Sequence, residues 1–311
     1  GSGTNAITLS QTTANVGYTG GAGADTVTTP MTSGDVTAVM GAGANTLTAS
    51  GTVTGTLVTN GLGGVDTITA AGLSTGTANV TSGAGKDVIN IGGSDTITSG
   101  NVTINSGDDN DTITVGYATI TAAMSTVIDA GAGNDSITLS DLTNATAGAT
   151  ITIDGGAGTD TLTLDDNTIM TAGSITFSNI EVIQLAGSGD NGNAEFQASD
   201  ISGQSITMKS DATASAGFTV AGAATTTVID LSTLTMDQTL TKAVAATSIT
   251  ANAGSQGATI TGTSVADTIV GSGHADTITG GNGTDTIRGG AGNDTIILTE
   301  ATASQVADTY Q

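Results

Sequence analysis

A nine-residue repeat near the end of the chain places an aspartate at a fixed distance from glycines and from an aliphatic residue. Four tandem copies run from residue 262 to residue 297, and their aspartates stand nine residues apart, at Asp267, Asp276, Asp285 and Asp294. A period this strict indicates one small structural unit stacked on copies of itself, because a single short unit cannot bury its apolar face alone. The repeat therefore predicts a solenoid.

The same element, Gly-x-Asp-x-aliphatic, recurs upstream at longer intervals. Its acidic position, which is an amide in one copy, lies at Asp25, Asn45, Asp66, Asp87, Asp111, Asp135 and Asp160. The spacings between these residues are 20, 21, 21, 24, 24 and 25. The aliphatic residue two positions after each of these begins a longer series with steps of 18 to 25 residues. We interpret this series as thirteen rungs of one continuous ladder: Val27, Leu47, Ile68, Ile89, Ile113, Ile137, Leu162, Ile183, Ile206, Ile229, Ile249, Ile269 and Ile287.

Between the rung positions lie stretches in which Ile or Val alternates with polar residues, for example residues 101–105 and 150–155. Strict alternation is typical of half-buried strands, and no long segment has the helical period. Each rung is expected to hold two short strands and two turns. The sequence thus predicts an all-β fold, an elongated parallel β-solenoid with about 20 residues per rung.

The repeat pattern divides the chain into four parts. We expect rungs with metal-binding turns on one edge over residues 1–164 and further rungs that lack most of these turns over 165–261. Tandem nonapeptides follow over 262–298, and 299–311 is expected to be a C-terminal tail that is cut short.

The charge balance excludes several classes of function. Lys and Arg total 4 against 28 Asp and Glu, a formal net charge of −24. Nucleic-acid binding depends on basic residues, so no nucleic-acid partner is expected. The chain has no cysteine and no apolar run of 18 residues, which argues against disulfides and a transmembrane segment. Because the acids recur in similar contexts, bound cations are the favoured source of neutralising charge.

The tail pattern Gly-Gly-x-Gly-x-Asp-x-aliphatic-x resembles the calcium-binding nonapeptide of the RTX family of secreted β-rolls. In such a turn, glycines permit positive φ and aim backbone carbonyls inward, while the aspartate adds a carboxylate oxygen. Calcium takes six to eight oxygens, so two stacked turns are needed to complete one shell. Turns 18 residues apart share an edge, which pairs Asp267 with Asp285 and Asp276 with Asp294. The resemblance implies Ca²⁺ as the cofactor, with about eight ions, one for each gap between turns on the same edge.

The expected metal ligands are the glycines and the acidic or amide residues of these turns. They are Gly23, Asp25, Gly43, Asn45, Gly64, Asp66, Gly85, Asp87, Asp95, Asp109, Asp111, Gly133, Asp135, Gly158, Asp160, Asp267, Asp276, Gly281, Gly283, Asp285, Gly290, Gly292 and Asp294. Asp95 follows Asp87 by only eight residues and would add a turn on the opposite edge. Asn45 is expected to weaken the first ladder, because a neutral amide replaces a carboxylate.

No catalytic residue is predicted. His274 is the only histidine, and neither a Gly-x-Ser-x-Gly nor a His-Glu-x-x-His motif accompanies it, so we interpret it as a surface residue. Thr-x-Thr pairs such as Thr26 and Thr28 should point outward from successive rungs. Threonine suits the solvent face of a strand, and an ice-binding surface is the alternative explanation.

The composition, rich in Thr, Ala, Gly and Asp and poor in Lys, is most similar to that of RTX-type bacterial surface-layer (S-layer) subunits. That resemblance implies an extracellular, non-enzymatic structural protein at the cell surface, which self-associates into a lattice. Cell-surface polysaccharide is a further expected partner, through regions outside this sequence. Two alternatives remain open: a rod segment of a large RTX adhesin, with or without ice binding, and the C-terminal roll of a secreted RTX exoenzyme.

Overall fold

A computed structural model of the chain describes residues 3–9, 15–30, 34–73, 76–92, 100–116, 124–140, 149–165, 174–186, 193–210, 217–221, 228–236, 247–250, 257–297 and 309–310. Parallel strands stack as a β-solenoid of about 10 turns, with about 21 residues per turn. The predicted fold class, an all-β parallel solenoid, is confirmed. The chain divides into two compact units, Gly1–Thr163 with Ala172–Ile180 and Leu164–Thr171 with Glu181–Gln311.

Two parallel sheets form the first unit. Its strands are β1 (Asn5–Thr8), β2 (Val16–Thr19), β3 (Asp25–Pro30), β4 (Val36–Ala42), β5 (Thr46–Val53), β6 (Thr56–Gly63), β7 (Thr67–Leu73), β8 (Thr77–Ala84), β9 (Val88–Ile91), β10 (Val102–Asp108), β11 (Thr112–Gly116), β12 (Ser125–Asp129), β13 (Ser136–Ser140), β14 (Thr150–Asp154), β15 (Thr161–Asp165) and β16 (Ser174–Ser178). The odd-numbered strands follow one another in one sheet and the even-numbered strands in the other. Each turn of the solenoid therefore gives one strand to each sheet, as the alternating sequence pattern predicts.

The second unit has shorter strands and one short helix. Its elements are β17 (Val182–Ala186), β18 (Asn193–Gln197), α1 (Ala198–Ile201), β19 (Thr207–Ser210), β20 (Gly217–Ala221), β21 (Val228–Asp230), β22 (Thr235–Met236), β23 (Thr247–Thr250), β24 (Thr259–Thr261), β25 (Asp267–Val270), β26 (Thr277–Thr279), β27 (Thr286–Arg288), β28 (Thr295–Ile297) and β29 (Thr309–Tyr310). In its sheets the strands follow the orders β17-β19-β22, β18-β20-β23-β25-β27-β29 and β21-β24-β26-β28.

Equivalent aliphatic residues of successive turns stack to form the core. In the odd-numbered sheet of the first unit the aligned residues are Val27, Leu47, Ile68, Ile89, Ile113 and Ile137. All six side chains are buried, whereas the threonines beside them face outward. A thin core assembled from many small, similar sites suits a chain that has no Trp and 2% aromatic residues.

The predicted ladder of thirteen rungs is wrong beyond Ile183. Met208, not Ile206, pairs with Ile183, and both Ile206 and Met208 are buried. Residues two apart in a strand point to the same face, so sequence alternation alone does not decide which one takes the rung position.

The later rung positions also belong to different sheets. Ile229 pairs with Ile260 in one sheet, whereas Ile249, Ile269 and Ile287 pair in another. Equal spacing along the sequence therefore joined residues that lie on two different faces of the second unit. The solenoid has about 10 turns rather than the thirteen rungs predicted.

Candidate metal centre

A column of buried acidic and amide side chains runs along one edge of the first unit. We call it the Asx column, and it consists of Asp25, Asn45, Asp66, Asp87, Asp111, Asp135 and Asp160. Each of these residues ends a six-residue segment that leads into a strand of the odd-numbered sheet and in several cases begins within the preceding even-numbered strand. We call this segment a turn and number its positions from one to six. The column is buried throughout, with exposed fractions of 0 to 2%.

Hydrogen bonds join the Asx column from one turn to the next. The backbone N–H of Asp66 donates to Oδ1 of Asp87 (2.7 Å), that of Asp87 to Asp111 (2.8 Å), and that of Asp111 to Asp135 (2.7 Å). The same bond, at 2.8 to 3.0 Å, links the three remaining consecutive pairs of the column. At the start of the column, the Asn5 N–H donates to Asp25. Only one oxygen of each carboxylate is used in this way.

The turns have a backbone that favours glycine at positions two and four. In the turns of Asn45, Asp87, Asp135 and Asp160 both positions are glycine, and both have positive φ, as at Gly131 and Gly133. A Cβ on Gly133 would also clash with the carbonyl oxygen of Asp109 one turn away. Asp109 itself holds position four of its turn with a φ of 76° and an exposed side chain. The other glycines predicted as ligands in this unit, Gly23, Gly43, Gly64, Gly85 and Gly158, lie at position four of their turns.

Four carboxylates of the Asx column bury an oxygen that has no hydrogen-bond partner. These atoms are Oδ2 of Asp66, Asp87, Asp111 and Asp135. Burial raises the pKa of Asp66 to about 6, with the neighbouring Asp87 charge adding to the effect. It raises the pKa of Asp111 to about 6 as well, and the pKa values of Asp87 and Asp135 shift in the same direction for the same reason. A buried carboxylate oxygen without a donor is costly unless a proton or a cation meets it.

The hydrogen bonds of Asn45 show which groups surround the terminal atoms of the residue at position six. Its turn has the same positive φ values at Gly41 and Gly43, and its amide Nδ2 donates to the carbonyl oxygens of Gly41 (3.3 Å) and Gly43 (2.8 Å). In this turn the carbonyls of positions two and four therefore converge on the terminal atom of the residue at position six. An aspartate in the same geometry would bring three oxygens together, and they would repel one another unless a cation lay between them.

This donor set fits Ca²⁺, which prefers carboxylate and carbonyl oxygens. One turn supplies a carboxylate oxygen and two carbonyls, so the stacked neighbour has to complete the six to eight ligands. No group of three or more His, Cys, Asp or Glu side chains that could hold a metal is present among the residues that the structure describes.

Asp25 differs from the four acids with a free oxygen. Burial would raise its pKa, but the Asn5 side chain, the Gly21 N–H and the Asn5 N–H donate to its carboxylate, and the pKa is lowered. Both carboxylate oxygens have donors, with Asn5 Nδ2 at 2.6 Å from Oδ1 and Gly21 N at 3.1 Å from Oδ2. The first turn therefore stabilises its charge with hydrogen bonds from the chain.

The tandem nonapeptides place two shorter columns on opposite edges of the second unit. The backbone N–H of Asp267 donates to Asp285 (2.9 Å), and that of Asp276 donates to Asp294 (3.0 Å). These are the same-edge pairs that the spacing of 18 residues predicts. Gly281, Gly283, Gly290 and Gly292 have positive φ, so the last two turns share the backbone of the turns in the first unit.

The turns of Asp267 and Asp276 are built differently, which sequence reasoning missed. Thr263 and Ser272 replace glycine at position two, and their hydroxyls and backbone N–H groups all donate to the carboxylate at position six. The signal was present in the sequence, because the letters "GTSVAD" and "GSGHAD" depart from the Gly-Gly-x-Gly pattern. Of the remaining sites, Asp95 lies outside the described residues, and His274 is exposed.

Comparison with known proteins agrees with this geometry. The sequence-family model of the RTX calcium-binding nonapeptide repeat (four copies) matches residues 125–141, 152–168 and 261–296. These segments contain the turns of Asp135 and Asp160 and those of the tail. No curated protein and no solved structure matches the chain. The repeat match and the parallel solenoid together support an RTX-type calcium-binding β-roll.

Proposed function

We propose that this chain is a structural component of a bacterial surface layer, and that calcium binding folds and assembles it. RTX repeat proteins are typically secreted, and no helix among the described residues is long and apolar enough to cross a membrane. The observation that carries the calcium-dependent part is the Asx column with its four partnerless Oδ2 atoms. The surface-layer role rests on the composition, which is rich in Thr, Ala, Gly and Asp and poor in Lys.

The residues that would hold calcium are the carboxylates at position six and the carbonyls at positions two and four. When bound, the ion neutralises the carboxylates of the column and draws together the carbonyls of stacked turns. The chain positions these groups through the positive-φ backbone and through the N–H to Oδ1 bond between turns. Because the ligands converge only in the folded turns, the free energy of ion binding becomes free energy of folding.

Calcium should also control association between copies of the chain. A formal net charge of −24 makes identical chains repel one another, and bound divalent cations remove part of that charge. A surface layer that needs calcium both inside its subunits and to lower their mutual repulsion assembles only where calcium is abundant, as it is outside the cell.

Electron microscopy of the full-length protein tests this proposal. We expect ordered two-dimensional sheets after addition of millimolar Ca²⁺ and dispersed chains in EGTA. Sheets of equal order in EGTA would contradict calcium-driven assembly. Calcium-folded monomers without sheets would contradict the surface-layer role and favour an adhesin segment or the roll of a secreted exoenzyme.

A further inference from the structure

We propose that this chain replaces calcium with its own hydrogen-bond donors in three turns, those of Asn45, Asp267 and Asp276. The amide of Asn45 takes the position of the ion in the first unit, and the hydroxyls of Thr263 and Ser272 stabilise the charged carboxylates of Asp267 and Asp276 in the second. These turns are then permanently metal-free. Because both carboxylate oxygens of Asp25 already have donors, the calcium-binding part of the Asx column begins at Asp66. The inference rests on the proposed calcium binding of the other turns.

Both polar groups of the Asn45 amide are hydrogen-bonded, the oxygen to the preceding turn and the –NH₂ group within its own turn. Its Oδ1 accepts the N–H of Asp25 (3.0 Å), and its Nδ2 donates to the carbonyls of Gly41 and Gly43. The side chain is 2% exposed, so water does not compete for these groups. The two carbonyls that would bind an ion are thus occupied by N–H donors, and an –NH₂ group so placed excludes a cation.

The first two turns of the tail reach the same result with hydroxyl groups. Thr263 donates to Asp267 from its N–H (2.7 Å to Oδ2) and from its hydroxyl (3.1 Å to each carboxylate oxygen). Ser272 donates to Asp276 from its N–H (2.6 Å to Oδ2) and from its hydroxyl (2.8 Å to Oδ1). Several donors stabilise a buried carboxylate in its charged form without a metal.

The residues at position four also indicate that the turns of Asp267 and Asp276 do not bind calcium. Val265 and His274 replace the glycine there, and among the described residues only Asp109 and Asn179 are non-glycine residues with positive φ. The backbone N–H groups of Val265 and His274 instead donate to the hydroxyl oxygens of Thr263 and Ser272, both at 3.2 Å. The hydroxyl therefore links positions four and six of the turn.

The metal-free turns border metal-binding ones in both units. In the first unit, Asn45 stacks directly on the turn of Asp66, to which its N–H donates (2.8 Å). In the second, the turns of Asp267 and Asp276 stack on those of Asp285 and Asp294. A turn that is ordered without calcium holds one side of the neighbouring site in place before the ion arrives. Preorganisation of this kind lowers the entropic cost of binding.

The test counts calcium ions per chain, by equilibrium dialysis and elemental analysis, in Asn45→Asp and in the matched control Asn79→Asp. Asn79 is exposed on β8, so its substitution adds the same charge away from any turn. We expect Asn45→Asp to bind one more calcium than the wild type and Asn79→Asp to bind the same number. An unchanged count in Asn45→Asp would overturn the inference for the first unit.

The variant Asn45→Ala distinguishes an amide that replaces the calcium ion from an amide that is one of its ligands. If the amide replaces an ion, the calcium count is unchanged, and the melting temperature falls by a similar amount in EGTA and in calcium. A count that falls by one would show that Asn45 is a ligand and would overturn the inference. A wild-type chain that binds no calcium would instead contradict the proposed function, so the two failures are distinguishable.

The second unit has its own test in the double variant Thr263→Gly with Val265→Gly, which restores the Gly-x-Gly pattern at Asp267. We expect this variant to bind one more calcium than the wild type and to depend more strongly on calcium for its melting temperature. Loss of thermal stability with no additional ion, in calcium-loaded protein that still has the β-sheet circular-dichroism signal, would overturn the inference for this unit.

Discussion

At the scale of single residues, we expect the residue at position six of each turn to determine whether that turn needs a metal. Asp135 and Asn45 occupy equivalent positions and have similar backbones, yet Asp135 buries an oxygen that lacks a donor and Asn45 supplies two donors. The sequence identified both positions, because the Gly-x-Asp element is strictly spaced. It did not identify their difference as the replacement of an ion, since that follows only from where the carbonyls of Gly41 and Gly43 point.

Asp135→Ala should lower the number of bound calcium ions and the stability of the calcium-loaded chain. The substitution removes a carboxylate ligand and also leaves the buried N–H of Asp111 without its acceptor, which by itself costs about 1–3 kcal/mol. Asp129→Ala is the control, because it removes the same charge from an exposed side chain at the end of β12. Equal calcium counts in Asp135→Ala and the wild type would contradict the assignment of this turn.

The raised pKa values of Asp66 and Asp111 predict an unusual pH dependence. With folded values of about 6 and an unfolded value of about 3.9, the folded chain binds more protons than the unfolded chain between these limits. The free energy of unfolding of the metal-free protein therefore falls as pH rises through this window. In EGTA we expect a higher melting temperature at pH 5 than at pH 7.5.

Calcium should reverse this trend, because only the ionised carboxylates bind the ion. The increase in melting temperature caused by calcium is therefore expected to be larger at pH 7.5 than at pH 5. Asp66→Asn with Asp111→Asn should weaken the pH dependence in EGTA, whereas Asp129→Asn should preserve it. Identical melting temperatures of the wild type in EGTA at both pH values would argue against burial of these acids.

At the scale of strands and turns, the sequence predicts the first unit better than the second. In the first unit, the strands follow from the alternation of aliphatic and polar residues, and the Asx column follows from the spacing of 20 to 25 residues. Both are observed. In the second unit the turn motif is missing between Asp160 and Asp267, so only alternation remains. Alternation does not distinguish Ile206 from Met208, nor one sheet from another, which is why the ladder fails there.

The turns should be more sensitive to substitution at positive φ than elsewhere. Gly133 has a φ of 146° and faces the carbonyl of Asp109, so Gly133→Ala introduces both backbone strain and a clash. A cost above about 1 kcal/mol is expected, measured as a shift of the denaturant midpoint in calcium. Gly273→Ala is the control, because a Cβ there meets nothing within 4 Å. Equal midpoints for the two variants would contradict the turn geometry.

At the scale of the whole molecule, the balance of charge decides when the chain folds. The chain has 28 acidic residues, and the four acids of the Asx column whose Oδ2 lacks a donor lie one turn apart in the stack. Hydrophobic burial is spread over small aliphatic side chains, so no large core compensates for repulsion between these buried carboxylates. Stability is then a sum over turns, as in other repeat proteins, and each calcium site contributes to it.

Removal of calcium should therefore destabilise the chain and loosen it. We expect EGTA to weaken the β-sheet circular-dichroism signal and to lower the melting temperature at pH 7.5, and millimolar Ca²⁺ to restore both. Mg²⁺ at equal concentration should restore much less, because it requires a tight octahedral shell and releases its water reluctantly. A melting temperature that is the same in EGTA and in calcium would contradict a structural role for the ion. Equal recovery with Mg²⁺ would show that the chain needs only positive charge, not the particular arrangement of carboxylate and carbonyl oxygens that its turns provide.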